Sequence, residues 1–142
     1  MKSLLLAALA LCACVPDNGP LMRPGEDCMA CHGGDGTILA GERVRHAKPW
    51  QAAGTVFDPA APTEGVEGVQ VEIADASGFS FSLRTNLAGN FYTAETLRLP
   101  LRACLSRNGA TTCQQSPVTS GACNSCHGLA ALGAPQPPLV AP

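Results

Sequence analysis

The sequence predicts a mainly β protein, a small antiparallel β-sandwich flanked on both sides by irregular or short-helical segments. Three observations predict it. From Gly54 to Thr112 apolar residues recur at alternate positions, a period of two that buries one face of a strand. Clusters of Gly, Asn, Asp and Pro interrupt that stretch at short, regular intervals. The chain also carries 15 Gly and 12 Pro in 142 residues and holds no long amphipathic helical repeat.

The elements follow in order. Gly54-Thr55-Val56-Phe57 precedes an Asp-Pro and Ala-Pro loop, after which Val69, Val71 and Ile73 alternate with Gln70, Glu72 and Ala74. Asp75 to Gly78 supply a turn, and Phe79, Phe81 and Leu83 then alternate with Ser80, Ser82 and Arg84. Asn86 to Asn90 make the next turn, before a strand at Phe91-Tyr92-Thr93. Leu97, Leu99, Leu101, Ala103 and Leu105 alternate with Arg98, Pro100, Arg102 and Cys104 up to Asn108-Gly109. Five or six short strands result, and each Val, Phe and Leu among them is expected in the core. Ala53-Gly54-Thr55-Val56, Gly68-Val69-Gln70-Val71-Glu72-Ile73 and Thr85-Asn86-Leu87-Ala88-Gly89-Asn90-Phe91-Tyr92 together resemble the carboxypeptidase regulatory-like (prealbumin-like) β-sandwich. The resemblance implies a scaffold or adhesive spacer and no catalysis.

Asn108-Gly109 is the preferred two-residue type I′ hairpin turn. Counting outward, Arg107 faces Ala110, Ser106 faces Thr111, Leu105 faces Thr112 and Cys104 faces Cys113. Alternation makes the cysteines a non-hydrogen-bonded pair, whose Cα atoms approach to about 4.5 Å. That reaches disulfide geometry, so a structural Cys104–Cys113 disulfide is expected.

The other cysteines sort without remainder. Cys28-Met29-Ala30-Cys31-His32 and Cys123-Asn124-Ser125-Cys126-His127 are two copies of the C-x-x-C-H haem-attachment pattern. Two thiols a short arc apart can add to the two vinyl groups of one haem, and the next residue turns its imidazole to the iron. Both copies continue with glycine, Gly33 and Gly128, and so resemble the c-type cytochromes over about six residues at each end. That resemblance implies two covalent haem c groups, with thioethers at Cys28, Cys31, Cys123 and Cys126 and proximal iron ligands at His32 and His127. Two other chemistries stay open: one zinc shared by the four cysteines, or two redox dithiols. Only haem accounts for a histidine directly after each pair.

Lys2 followed by an unbroken Leu/Ala run from Leu4 to Leu11 reads as an export signal, too short to span a bilayer. Leu11-Cys12-Ala13-Cys14 resembles the bacterial lipoprotein signal, which implies lipidation of Cys14 at the mature N-terminus. The expected division is a signal peptide over 1–13, a tether over 14–26, a first haem-binding segment over 27–50, the sandwich over 51–116, and a second haem-binding segment with an extended tail over 117–142. An exported lipoprotein of the periplasmic or cell-surface face of the outer membrane is expected, held to the membrane by its lipid. With 14% charged residues and a net charge of −2, nothing supports nucleic-acid binding.

Sixth iron ligands are scarce. His46 is the one remaining histidine and a possible distal ligand; Met22 is the only other candidate, and a weak one. Both haems therefore cannot be bis-histidine within one chain. Electron transfer between redox partner proteins is the leading expectation, without catalysis. An open iron that senses or reduces a small molecule, and a haem-free zinc-stapled binding module, are the alternatives.

Overall fold

A computed structural model of the chain describes residues 19–33, 37–39, 42–44 and 48–142. Cys14 and His46 lie outside the described residues. Within them the protein is mainly β. In chain order come α1 (Cys28–His32), β1 (Thr37–Leu39), β2 (Glu42–Val44), β3 (Ala52–Thr55), β4 (Gln70–Ala74), β5 (Ser80–Arg84), β6 (Asn90–Thr93), β7 (Arg102–Arg107), β8 (Ala110–Cys113) and α2 (Cys123–His127). β1 and β2 form a hairpin, β3 pairs with β6, and a four-stranded antiparallel sheet runs β5-β4-β7-β8.

The two larger sheets share one core. The alternation in β4 buries Val71 and Ile73 and leaves Glu72 outward, and Val56, Val69, Phe91, Leu101 and Leu105 join the same cluster. Each such side chain withdrawn from water contributes about 1.5–3 kcal/mol before chain entropy is subtracted. The last hairpin turns at Asn108 and Gly109, with φ of 50° and 86°, and pairs Arg107 with Ala110 through Cys104 with Cys113. Cys104 and Cys113 are joined by a disulfide with Cα atoms 4.0 Å apart.

Four expectations change. The alternation from Leu97 does not make a strand before Arg102, and Leu99 is exposed. Pro100 has no N–H to give to a ladder, so pairing starts only at Leu101, which exchanges hydrogen bonds with Val118 at 2.7 and 2.8 Å. Phe79 is also exposed, stacking on Phe81 rather than entering the core. It closes the preceding turn instead, its amide donating to Asp75 Oδ1 at 3.2 Å.

The segment 19–26 is not a free tether. Asn86 donates to the Pro20 carbonyl, Asn90 Nδ2 donates to the Met22 carbonyl at 3.0 Å, and the Gly25 amide donates to Thr55 Oγ1 at 2.9 Å. Thr55 and Asn90 are buried polar groups, and this backbone satisfies them. The extended tail is held as well. The Phe57 amide donates to the Leu139 carbonyl at 2.7 Å, Ala141 donates back to Phe57 at 2.9 Å, and Ala141 is buried. No helix among the described residues is long and apolar enough to cross a membrane.

Candidate functional site

Each C-x-x-C-H segment forms one helical turn, α1 and α2. That conformation places residues three and four apart on one side, so both thiols and the imidazole of a motif share a face. Asp27 begins α1, its Oδ1 accepting from the Met29 amide at 3.0 Å, and Gly33 ends it by donating to the Met29 carbonyl at 2.9 Å. In α2 the Gly128 amide donates to the Asn124 carbonyl at 3.0 Å. The first cysteines are treated alike: Cys28 Sγ lies 3.5 Å from the Glu26 carbonyl and Cys123 Sγ lies 3.6 Å from the Gly121 carbonyl. Cys28 and Cys123 are half-buried, whereas Cys31 and Cys126 are exposed.

The two turns, far apart in sequence, meet over β3 through one side chain. Asn124, between the cysteines of the second motif, is 3% exposed. Its Oδ1 accepts from the Thr55 amide at 2.9 Å, while its Nδ2 donates to the Glu26 carbonyl at 2.8 Å and to Thr55 Oγ1 at 2.9 Å. The same Nδ2 lies 3.8 Å from Cys28 Sγ. Thr55 Oγ1 in turn donates to Asn90 Oδ1 at 2.8 Å. One amide thus ties the second motif to β3 and to the residues that lead into the first.

Two glycines make the approach possible. A Cβ on Gly54 would lie 2.7 Å from the Phe91 ring and 2.8 Å from Cys123 Cβ. One on Gly128 would lie 2.4 Å from the Gly25 carbonyl. The glycine after the second Cys-His is therefore required sterically where the ends of the chain touch.

Burial acts on the first thiol of each pair. Burial pushes the Cys123 thiol up to about 12, and charge on Cys28 pushes the same way. Burial raises Cys28 as well, against the lowering effect of a backbone hydrogen bond. Both shifts run opposite to the lowered pKa that activates a thiol nucleophile. Among the described residues no group of three or more His, Cys, Asp or Glu converges to hold a metal ion.

The two histidines are held differently. His127 Nδ1 lies 2.8 Å from the Pro137 carbonyl, because the Gln136 amide bonds the Cys126 carbonyl at 2.9 Å and folds the proline-rich tail back along α2. A carbonyl only accepts, so Nδ1 carries the proton and, in the neutral ring, Nε2 keeps its lone pair. His32 instead stacks on Trp50, with centroids 4.1 Å apart and planes at 17°, and Trp50 stacks on Tyr92 at 4.2 Å and 7°. Met22 sits on the segment fixed by Asn90 and is half-buried.

A cavity of about 210 Å³ beside the hub, lined by Gly25, Asp27, Asn124, Ser125, Leu132 and their neighbours, is too small for an enclosed cofactor. The donor set of each turn, a thiol pair followed directly by an imidazole, is of a kind that fits a covalently held haem, and at His127 the bond to Pro137 leaves Nε2 its lone pair in the neutral ring. Reading the sequence missed Asn124, Thr55, Trp50 and Pro137. An Asn between two motif cysteines carries no signal of burial; Trp50, the only tryptophan, was the one residue whose rarity could have drawn attention. No family model, curated protein or solved structure matches the chain.

Proposed function

We propose that this chain is an exported, lipid-anchored c-type cytochrome that carries two covalent haems and moves electrons between redox partner proteins. Cys28 and Cys31 hold the first haem with His32 as proximal ligand, and Cys123 and Cys126 hold the second with His127. Cys14 carries the lipid, and the sandwich is the rigid holder between the motifs. The observation that carries the reading is the bond between His127 and Pro137. A histidine that serves as a metal ligand donates its other ring N–H to a carbonyl, carboxylate or water, which fixes the tautomer and strengthens the ligand. His127 has that arrangement, one residue after a C-x-x-C pair.

The bound group supplies a one-electron iron couple tuned by its ligands and surroundings. The polypeptide anchors, orients and separates. Asn124 and Thr55 join the two attachment turns into one body, which favours electron exchange between the centres within the chain. Burial shifts the thiols of Cys28 and Cys123 away from the thiolate form that enters disulfide exchange. The test is the full chain expressed with a cytochrome-maturation system and assayed by pyridine haemochrome and intact mass. Two haems per chain are expected, falling to one in Cys123→Ala/Cys126→Ala. Colourless protein without a mass increment refutes the proposal.

A further inference from the structure

The first attachment turn is only five residues long and ends at His32. Trp50 is fixed from several sides. Its amide donates to the His32 carbonyl at 2.8 Å, which ties it to the end of α1. Its ring lies between those of His32 and Tyr92, nearly parallel to both. The next residue, Gln51, donates to the Thr93 carbonyl at 2.7 Å, and Ala53 pairs with Tyr92 in the β3–β6 ladder. Tyr92 is the outward residue of β6, between buried Phe91 and Thr93, so the sheet itself sets the plane of the stack.

We propose that Trp50, braced by Tyr92, is the positioning residue of the first haem site: it sets the plane of the His32 imidazole through the His32–Trp50–Tyr92 stack. This rests on the haem reading of Cys28, Cys31 and His32. Stacking against one face of the imidazole restricts rotation of the ring. Ring orientation and ligand strength are what the surroundings of a metal ligand control, so the stack acts on the first iron and leaves the second alone.

The experiment uses the two-haem protein with Trp50→Leu, Trp50→Phe and Tyr92→Leu. Haem count, redox titration and ferric electron paramagnetic resonance are recorded for each, and signals are assigned to the first haem by their loss in Cys28→Ala/Cys31→Ala. Expected are an altered low-spin resonance and a shifted potential for the first haem in Trp50→Leu, a smaller change of the same sign in Tyr92→Leu, and recovery in Trp50→Phe, with the second haem unmoved throughout. Two haems with unchanged first-haem signals in both leucine variants overturn the proposal and leave the haem reading intact. A change confined to the second haem also overturns it. Should Trp50→Leu fail to fold, Tyr92→Leu alone decides by the same criteria. A wild-type chain without haem removes both readings.

Discussion

Replacing Asn124 by alanine removes three hydrogen bonds of 2.8–2.9 Å from a residue that is 3% exposed. Two backbone groups lose this partner, the Thr55 amide and the Glu26 carbonyl, and Thr55 is itself fully buried. A buried donor or acceptor left unmade costs about 1–3 kcal/mol, so with two such groups the variant should lose about 2–6 kcal/mol. Against a total of about 5–15 kcal/mol for a domain, that is a substantial share. The assay is urea unfolding at pH 7 of the oxidised protein, with the midpoint falling and the slope unchanged. Ser82→Ala, which removes only an exposed bond of 3.3 Å to Gln70, is the control and should change stability little. A loss below about 1 kcal/mol in Asn124→Ala would show that the hub does not bind the two ends together, whatever the cofactor.

Two further predictions concern protons. Asp75 is partly buried, and bonds from the Ser77 hydroxyl and the Arg98, Ser77 and Phe79 amides lower it from the ordinary 3.8 to about 2. Its folded value is depressed, so its contribution to stability is complete above about pH 4 and is lost as pH falls through about 2; Asp75→Asn should flatten that part of an acid-unfolding curve, and an unchanged curve refutes the assignment. In haem-free protein at pH 8, Cys31 and Cys126 should alkylate with iodoacetamide well before Cys28 and Cys123, whose thiols are raised by burial. Equal labelling of all four by peptide mapping would contradict the packing of the two turns.

The strands were legible wherever one face of a strand meets the core. Val69, Val71 and Ile73 alternate because β4 is central in its sheet, and the Asn108-Gly109 turn fixed the register to Cys104 and Cys113 because only one pairing satisfies both the turn and the period of two. The same period misled at Leu97 to Leu101, where Pro100 breaks the ladder, and at Phe79, where the turn consumes the residue. Local pattern cannot report which of several alternating apolar residues finds a partner sheet. Residues 19–26 read as a tether, and the proline-rich tail as an extended end, for a related reason. Their composition resembles a linker, but their order comes from backbone groups taken up by Asn86, Asn90, Thr55, Phe57 and His127, all remote in sequence.

Those remote bonds decide where the motifs stand. β3 is bordered along its length by the chain's ends: Ala53 pairs in parallel with Ala122 directly before the second motif, and Phe57, just past the strand, pairs in parallel with Val140 in the tail. Gly25, three residues before Cys28, reaches Thr55 from the other side of the sequence. Four residues of strand thus collect both ends of a chain whose motifs are nearly a hundred residues apart, as the Glu26–Asn124 bond records with a separation of 98. Because the motifs converge on Thr55 and Asn124, one loss at the hub is felt by both, and a variant that loosens α2 should disturb α1 as well.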